Sequence, residues 1–170
     1  LFSNFFSQYL NIDLIQFRES ILFIDKISLV ALSGLFIGIM GTVPGHELSH
    51  RINNKFDLFI GSWLLSLSWD CAFAIEHVYG HHRNVGLPND PATARRGDNI
   101  YKFIIKAIIK EQKDAWLIEV KRLRSKSLSL LSINNRLVMG YFKSISISLL
   151  SFIVGGFSGL IIFLLCSIIA

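Results

Sequence analysis

Hydrophobic and polar positions along this chain fall into long blocks rather than short alternations. From Leu22 to Val43 the residues are almost wholly apolar, with Asp25 and Lys26 as charges near the start. A helix over that stretch would be roughly 33 Å long, enough to cross a bilayer. Pro44 and Gly45 follow, where a kink is expected, so the span is drawn over about 22–45. A second apolar stretch, 56–75, is interrupted by Asp57 and Asp70. The region 78–136 is polar, and from Leu137 the chain is apolar again, with Gly155-Gly156 breaking the run. Residues 137–154 and 157–170 would make about 27 Å and about 21 Å of helix. That pattern predicts a helical hairpin, with one long kinked helix as the alternative. Residues 1–21 mix aromatic and polar positions, and read either as an interfacial helix or as the end of another span.

The polar region carries the topological signal. Twelve Lys/Arg stand against five acids over 78–136. Such an excess beside apolar spans marks a cytoplasmic loop facing anionic lipid. Within it, 98–124 reads as a basic amphipathic helix lying on the membrane surface. Ile100, Phe103, Ile104, Ala107 and Ile108 form its apolar stripe, lysines its other face, and Asp98 its N-cap. The expected fold is therefore all-α. It is one integral membrane helical bundle over 1–170, with a non-spanning interfacial segment at 56–75 and a cytoplasmic amphipathic helix.

Composition agrees. The chain is 52% hydrophobic and 17% charged, below the roughly one quarter usual in soluble domains. Its net charge of +5 could suggest nucleic acid, but the positives cluster beside the spans, so no nucleic-acid partner is expected. Cys71 and Cys166 lie far apart without a C-x-x-C pair and are read as inert helix residues. Trp63, Trp69 and Trp116 fit interfacial anchors. No signal peptide is visible, and a chain opening at Leu1 and closing in an apolar run is expected to be a fragment.

All five histidines fall in two short clusters, GHELSHR at 45–51 and EHVYGHHR at 76–83. His46 and His50 are spaced i, i+4, as are His77 and His81, and His82 adds another imidazole. On a helix that spacing puts two rings on one face, able to converge on a metal. A lone histidine would more often be a hydrogen-bonded core residue, but five at two membrane boundaries point to a metal site. Metal–nitrogen bonds are about 2 Å long. If both clusters serve one site, 56–75 cannot cross the membrane, because a crossing would separate them by some 30 Å. Taken alone, HELSH also matches the H-E-x-x-H zinc peptidase motif with Glu47 as base. That reading leaves His77, His81 and His82 without a role, since catalytic zinc takes about three protein ligands. A non-enzymatic metal carrier is a third possibility. A histidine-rich site instead suits iron with positions open for O₂.

GHELSHR followed by EHVYGHHRNVGLPNDPATARRGDNIYKF resembles the alkane monooxygenase branch of the membrane fatty acid desaturase/hydroxylase superfamily. The matching positions include Glu76, His77, Gly80, His81, His82 and the Asp90-Pro91-Ala92 step. The resemblance implies a di-iron centre on the cytoplasmic side of a membrane, the bacterial inner membrane being the expected one. His46, His50, His77, His81 and His82 would be iron ligands. A further histidine box would lie beyond Ala170, so the fragment itself should not assemble a complete centre. The resemblance also implies O₂ as co-substrate, a rubredoxin- or ferredoxin-type electron donor and an alkyl substrate hydroxylated at its terminal carbon. Desaturation of a fatty acyl chain is the alternative within the superfamily. Pro44-Gly45 before the first box and Arg51 at its end depart from the commoner pattern and leave the substrate open. Glu47 and Glu76 abut ligands and could orient imidazoles, or could pair with Arg51 and Arg83. Asp90 could tether its loop near the site, or simply form a turn.

Overall fold

The computed structural model describes Gln8, Gln16 and residues 20–170. The expectation for 1–21 lies almost wholly outside the described residues. Helix α1 (Phe23–Ile37) runs into a π-helical turn, π1 (Gly38–Thr42), and then into α2 (Val43–Ser49). Pro44 sits in the first turn of α2, where its missing N–H is tolerated. The helical path from Phe23 to Ser49 and helix α7 (Arg136–Ile169) are both long and apolar enough to cross a membrane. Large side chains including Phe23, Leu32, Phe36, Met40, Phe142, Ile153 and Phe157 lie exposed along them. A surface of that extent is matched by lipid, not water. The described residues contain no strand, and the chain is an all-helical membrane protein.

Helix α3 (Lys55–Ser66) does not span. Its 12 residues give about 18 Å, well short of a hydrocarbon core of about 30 Å. Asn54 caps it, accepting the N–H groups of Phe56 and Asp57 at 3.0 and 3.2 Å. It runs back along α2, and the two backbones touch at Gly45 and Gly61. A Cβ on either glycine would stand 3.2 Å from the other's carbonyl oxygen and 2.9 Å from a leucine side chain. At its inner end, Thr42 Oγ1 meets Ser68 Oγ at 3.2 Å. The chain then turns at Trp69, whose φ is 59°, and returns through α4 (Phe73–Glu76) into a second π-helical segment, π2 (His77–His81). Segment 56–75 thus runs out and back, so that its two ends lie close together beside the histidine clusters. Trp69 lies at the turn of this segment, with its Nε1 buried and without a hydrogen-bond partner among the described residues.

Helix α7 reverses. Gly156 has φ 61° and ψ −156°, a conformation that side chains disfavour. Ser144 Oγ donates to the Ser66 carbonyl at 2.9 Å and Ser167 Oγ to the Leu67 carbonyl at 2.8 Å. In a straight helix those two serines would be about 35 Å apart. The arms are therefore antiparallel, and the second runs parallel to α1, with Cys166 Sγ 3.5 Å from the Val30 carbonyl and Ala170 beside Gly38.

A short helix, α5 (His82–Asn84), follows π2, and the long helix α6 (Ile100–Arg124) lies against α4 and the start of α7. Asp98 is not its cap. Asn99 accepts from Tyr101 and Lys102 N–H at 3.1 and 3.2 Å, while Asp98 closes the preceding turn by accepting from Arg95 N–H at 3.0 Å. The expected apolar stripe also divides. Ala107 is buried and Phe103 partly so, whereas Ile100, Ile104 and Ile108 are exposed. Three faces result: one toward the protein, one basic and one apolar and open. The core beneath the histidines is Cys71, Ala72, Ile75, Ala115 and Leu137, flanked by Tyr79, Ile118 and Tyr141.

Candidate metal centre

The re-entrant segment brings the two histidine clusters together. His46 and His50 project from α2 with ring centroids 4.9 Å apart. His77, at the start of π2, stands 4.5 Å from His46 and 5.1 Å from His50. One nitrogen from each of these three rings lies within 4.8 Å of the others, a spacing that one metal ion can close.

The π-helical turn changes the register within the second cluster. An α-helix would pair His77 with His81, but a π-helix has an i, i+5 repeat. His77 Nε2 and His82 Nε2 are 3.0 Å apart, and the His82 ring lies 4.9 Å from His50. Two bonds of about 2.1 Å meeting at a right angle would separate their nitrogens by about 3.0 Å. His82 therefore joins the His46–His50–His77 group as a fourth imidazole. Phe73, one turn before His77, stacks on its ring at 4.3 Å and 14°. Burial, and then the neighbouring imidazoles of His46, His82, His50 and His81, push the His77 pKa down to about 4. Its ring is neutral at physiological pH, the form that binds metal.

His81 stacks beside His77, with ring centroids 5.4 Å apart, and is held by a partner of its own. Its Nδ1 lies 2.9 and 3.1 Å from the two carboxylate oxygens of Asp90. Asp90 is buried and also accepts from Thr93 Oγ1 and, at 3.1 Å, from Ala92 N–H. Burial alone would raise the Asp90 pKa, but the bonds from Thr93, His81 and Ala92 outweigh it and hold the carboxyl below its usual range. A carboxylate here favours the proton on Nδ1 and leaves the Nε2 lone pair open to a metal, an arrangement typical of metal-bound histidines. Asp90 is thus more than a turn residue.

The acids beside the ligands divide. Glu76 is buried on α4, and a Cβ on Gly80 would overlap its Oε1, so a larger residue there would push the carboxylate aside. Burial, followed by Glu111 and Asp90, pushes the Glu76 pKa up to about 7. Burial raises the Glu111 carboxyl as well. No ion pair joins Glu76 to Arg83 among the described residues. Glu47 is exposed, and Arg51 pairs with Asp57 at 3.3 Å instead. Glu111, Thr93 and Phe73 are site residues that the motifs do not announce. Thr93 follows the Asp90-Pro91-Ala92 step, and Phe73 stands at i−4 from His77, so a local signal exists for both.

A buried network braces the second cluster from behind. Glu119 is fully buried. It accepts from Arg122 at 2.9 and 2.7 Å, from Arg136 Nε at 2.8 Å and from Arg136 N–H at 3.1 Å. Burial opposes ionisation of Glu119, but these bonds keep its pKa below the ordinary glutamate value. The Arg136 guanidinium lies 4.9 Å over the ring of Tyr79, which sits within π2 between His77 and His81.

Comparison with known proteins fits this geometry. The family model for fatty acid desaturase matches residues 27–170. Alkane 1-monooxygenase 2 of Alcanivorax borkumensis is 32% identical over 141 residues, 83% of this chain and 37% of that protein. An alkane 1-monooxygenase of Pseudomonas putida is 37% identical over 113 residues, 66% of this chain and 28% of that protein. The hydroxylase component of a xylene/toluene monooxygenase, also from Pseudomonas putida, is 35% identical over 111 residues, 65% of this chain and 28% of that protein. The chain spans about a third of the length of the curated relatives it matches. On its sequence match over 27–170, its helical architecture and its paired histidine boxes, this chain belongs to the fatty acid desaturase family, where its relatives include alkane monooxygenases.

Proposed function

We propose that the protein is a membrane non-haem di-iron monooxygenase acting on the terminal carbon of an alkyl chain. The observation that carries this reading is the convergence of His46, His50, His77 and His82, with His81 oriented separately by Asp90. The donor set fits iron, because neutral imidazoles hold Fe(II) without cancelling its charge. Iron when bound supplies the activation of O₂ for insertion of one oxygen atom into a C–H bond. His46, His50, His77 and His82 form the group suited to one ion. His81 offers its Nε2 to a second. Asp90 keeps the Nδ1 proton of His81 in place, and the Phe73 ring covers one face of His77.

The site stands at the end of an apolar helical path and beside a re-entrant segment. An apolar chain can therefore approach from the bilayer while electrons arrive from water. Electrons would come from a rubredoxin- or ferredoxin-type donor on the cytoplasmic side of a bacterial inner membrane. The excess of Lys and Arg over 78–136 supports that orientation. The substrate class is an alkane or another alkyl or fatty-acyl chain. The full-length protein in membranes, supplied with a reduced donor, ¹⁸O₂ and a medium-chain alkane, should form a primary alcohol carrying one labelled oxygen. A terminal alkene from the same substrate would favour desaturation. Hydrolysis of a membrane peptide without O₂ uptake would overturn the proposal.

A further inference from the structure

Lys143 lies in the first arm of α7, seven residues into a membrane-spanning helix from Arg136. A cation at such a position is costly unless paired or able to reach the headgroup region. Its ammonium is instead tied sideways. It donates to Ser62 Oγ on the re-entrant helix and stands 5.4 and 5.5 Å from the ring centroids of Phe59 and Trp63. No carboxylate lies within 4.0 Å of it among the described residues.

The same side chain lines a cavity of about 220 Å³ between α3, α4 and α7. Arg136 lines it too, and the remaining walls are apolar or neutral, with no aspartate or glutamate among them. Arg136 and Arg122 share the single carboxylate of Glu119, so that network keeps one net positive charge beside the cavity. Phe59 and Ile133, at 54% and 83% exposure, show that the cavity opens to the surface of the protein. At about 30 Å³ per water, the volume equals about seven waters. That is room for a headgroup phosphate and the first carbons of a chain.

We infer that this groove is a binding site for one anionic phospholipid of the surrounding bilayer, its phosphate held between Lys143 and Arg136 and its acyl chain leaving past Phe59. Lys143 without a facing acid, beside an Arg122–Arg136–Glu119 network that keeps one net positive charge, in a groove that is otherwise apolar or neutral, matches an anion carrying a hydrocarbon tail. Neither Glu76 nor Glu111 lines the site, and it needs no metal.

The test uses the full-length protein purified in mild detergent. Native mass spectrometry and lipid extraction should find about one phosphatidylglycerol-class lipid retained per chain. Added dioleoyl phosphatidylglycerol should raise the thermal unfolding midpoint more than dioleoyl phosphatidylcholine does. Lys143→Gln should lower lipid retention at least tenfold and abolish the difference between the two lipids, whereas Lys126→Gln, on an exposed turn, should change neither. Lys143→Arg should keep both, which separates loss of the cation from loss of the fold. Equal retention in Lys143→Gln and the parent protein would overturn the proposal. So would displacement of the lipid by one equivalent of oleate, which would assign the groove to a free fatty carboxylate. Insensitivity of the parent protein to both lipids would overturn it as well.

Discussion

Replacing Asp90 by asparagine isolates one job in the candidate centre, the orientation of His81. The amide is nearly the same size as the carboxylate and keeps one acceptor oxygen, enough for Ala92 N–H, while its NH2 faces a Thr93 hydroxyl that can turn to accept. It lacks the charge that holds the Nδ1 proton, across contacts of 2.9 and 3.1 Å. A hydrogen bond to a charged group contributes about 1.5–3 kcal/mol, and a neutral one about 0.5–1.5. The difference, about 1–1.5 kcal/mol, corresponds to about a tenfold loss in affinity for the ion that the proposed centre assigns to His81, and outer carboxylates of metal-bound histidines typically matter by about 10–100-fold. Asp90→Ala should fall at the far end of that range, because it also frees the loop that Thr93 and Ala92 fasten. Thr93→Val should have a smaller effect, since the carboxylate remains. The assay is iron retention by the full-length protein under graded competition from a chelator, with circular dichroism as a check on folding. Iron retention in Asp90→Asn and Asp90→Ala equal to that of the parent would refute the orienting role.

Further expectations follow from the packing. Glu119→Gln leaves two arginines around a buried neutral amide. Breaking a buried ionic group in this way costs about 3–5 kcal/mol, readable as a lower denaturation midpoint in detergent. Its folded-state pKa is depressed, so its stabilisation is fully present above the unfolded value of about 4.3. That contribution is lost as pH falls through the lower folded value, and the acid limb of the stability profile should flatten in the Gln variant. Gly80→Ala should displace Glu76 and disturb the π-helical turn, lowering metal content with little loss of helix by circular dichroism. Gly156→Ala should destabilise the α7 hairpin by about 1–2 kcal/mol, because φ there is 61°. Unchanged thermal melts of that variant would count against a required left-handed turn.

Much of this arrangement is visible in the residues, and the exceptions have physical causes. The convergence of the clusters follows from bond lengths once both are read as serving one metal site. If 56–75 crossed the bilayer, His46 and His77 could not meet, and their rings stand 4.5 Å apart. The Gly155-Gly156 pair is the visible signal for the reversal of α7. Asp98 and Asn99 are both good caps, and local spacing does not choose between them; the turn at Arg95 engages Asp98 first. The i, i+4 spacing of His77 and His81 points to a shared face and their rings stack 5.4 Å apart, but it does not announce that the π-helical turn also brings His82 Nε2 to His77. A π-helix has no distinctive residue pattern, and this one sits where Tyr79 meets Arg136 across the fold. Glu119 reads as one acid in a basic surface helix, because nothing in its neighbourhood in the chain announces Arg136, seventeen residues away. Glu111 is hidden for the same reason.

The central claim is that two histidine clusters, joined by a segment that enters the membrane and returns, form one iron-binding centre. Metal analysis of the anaerobically purified full-length protein, with Mössbauer spectroscopy of ⁵⁷Fe-grown material, tests it most directly. Two irons per chain are expected, with His46→Ala and His77→Ala each disturbing the same ion although they lie on opposite sides of the re-entrant segment. One zinc per chain, or iron whose spectrum responds to one of these substitutions and not the other, would contradict the account.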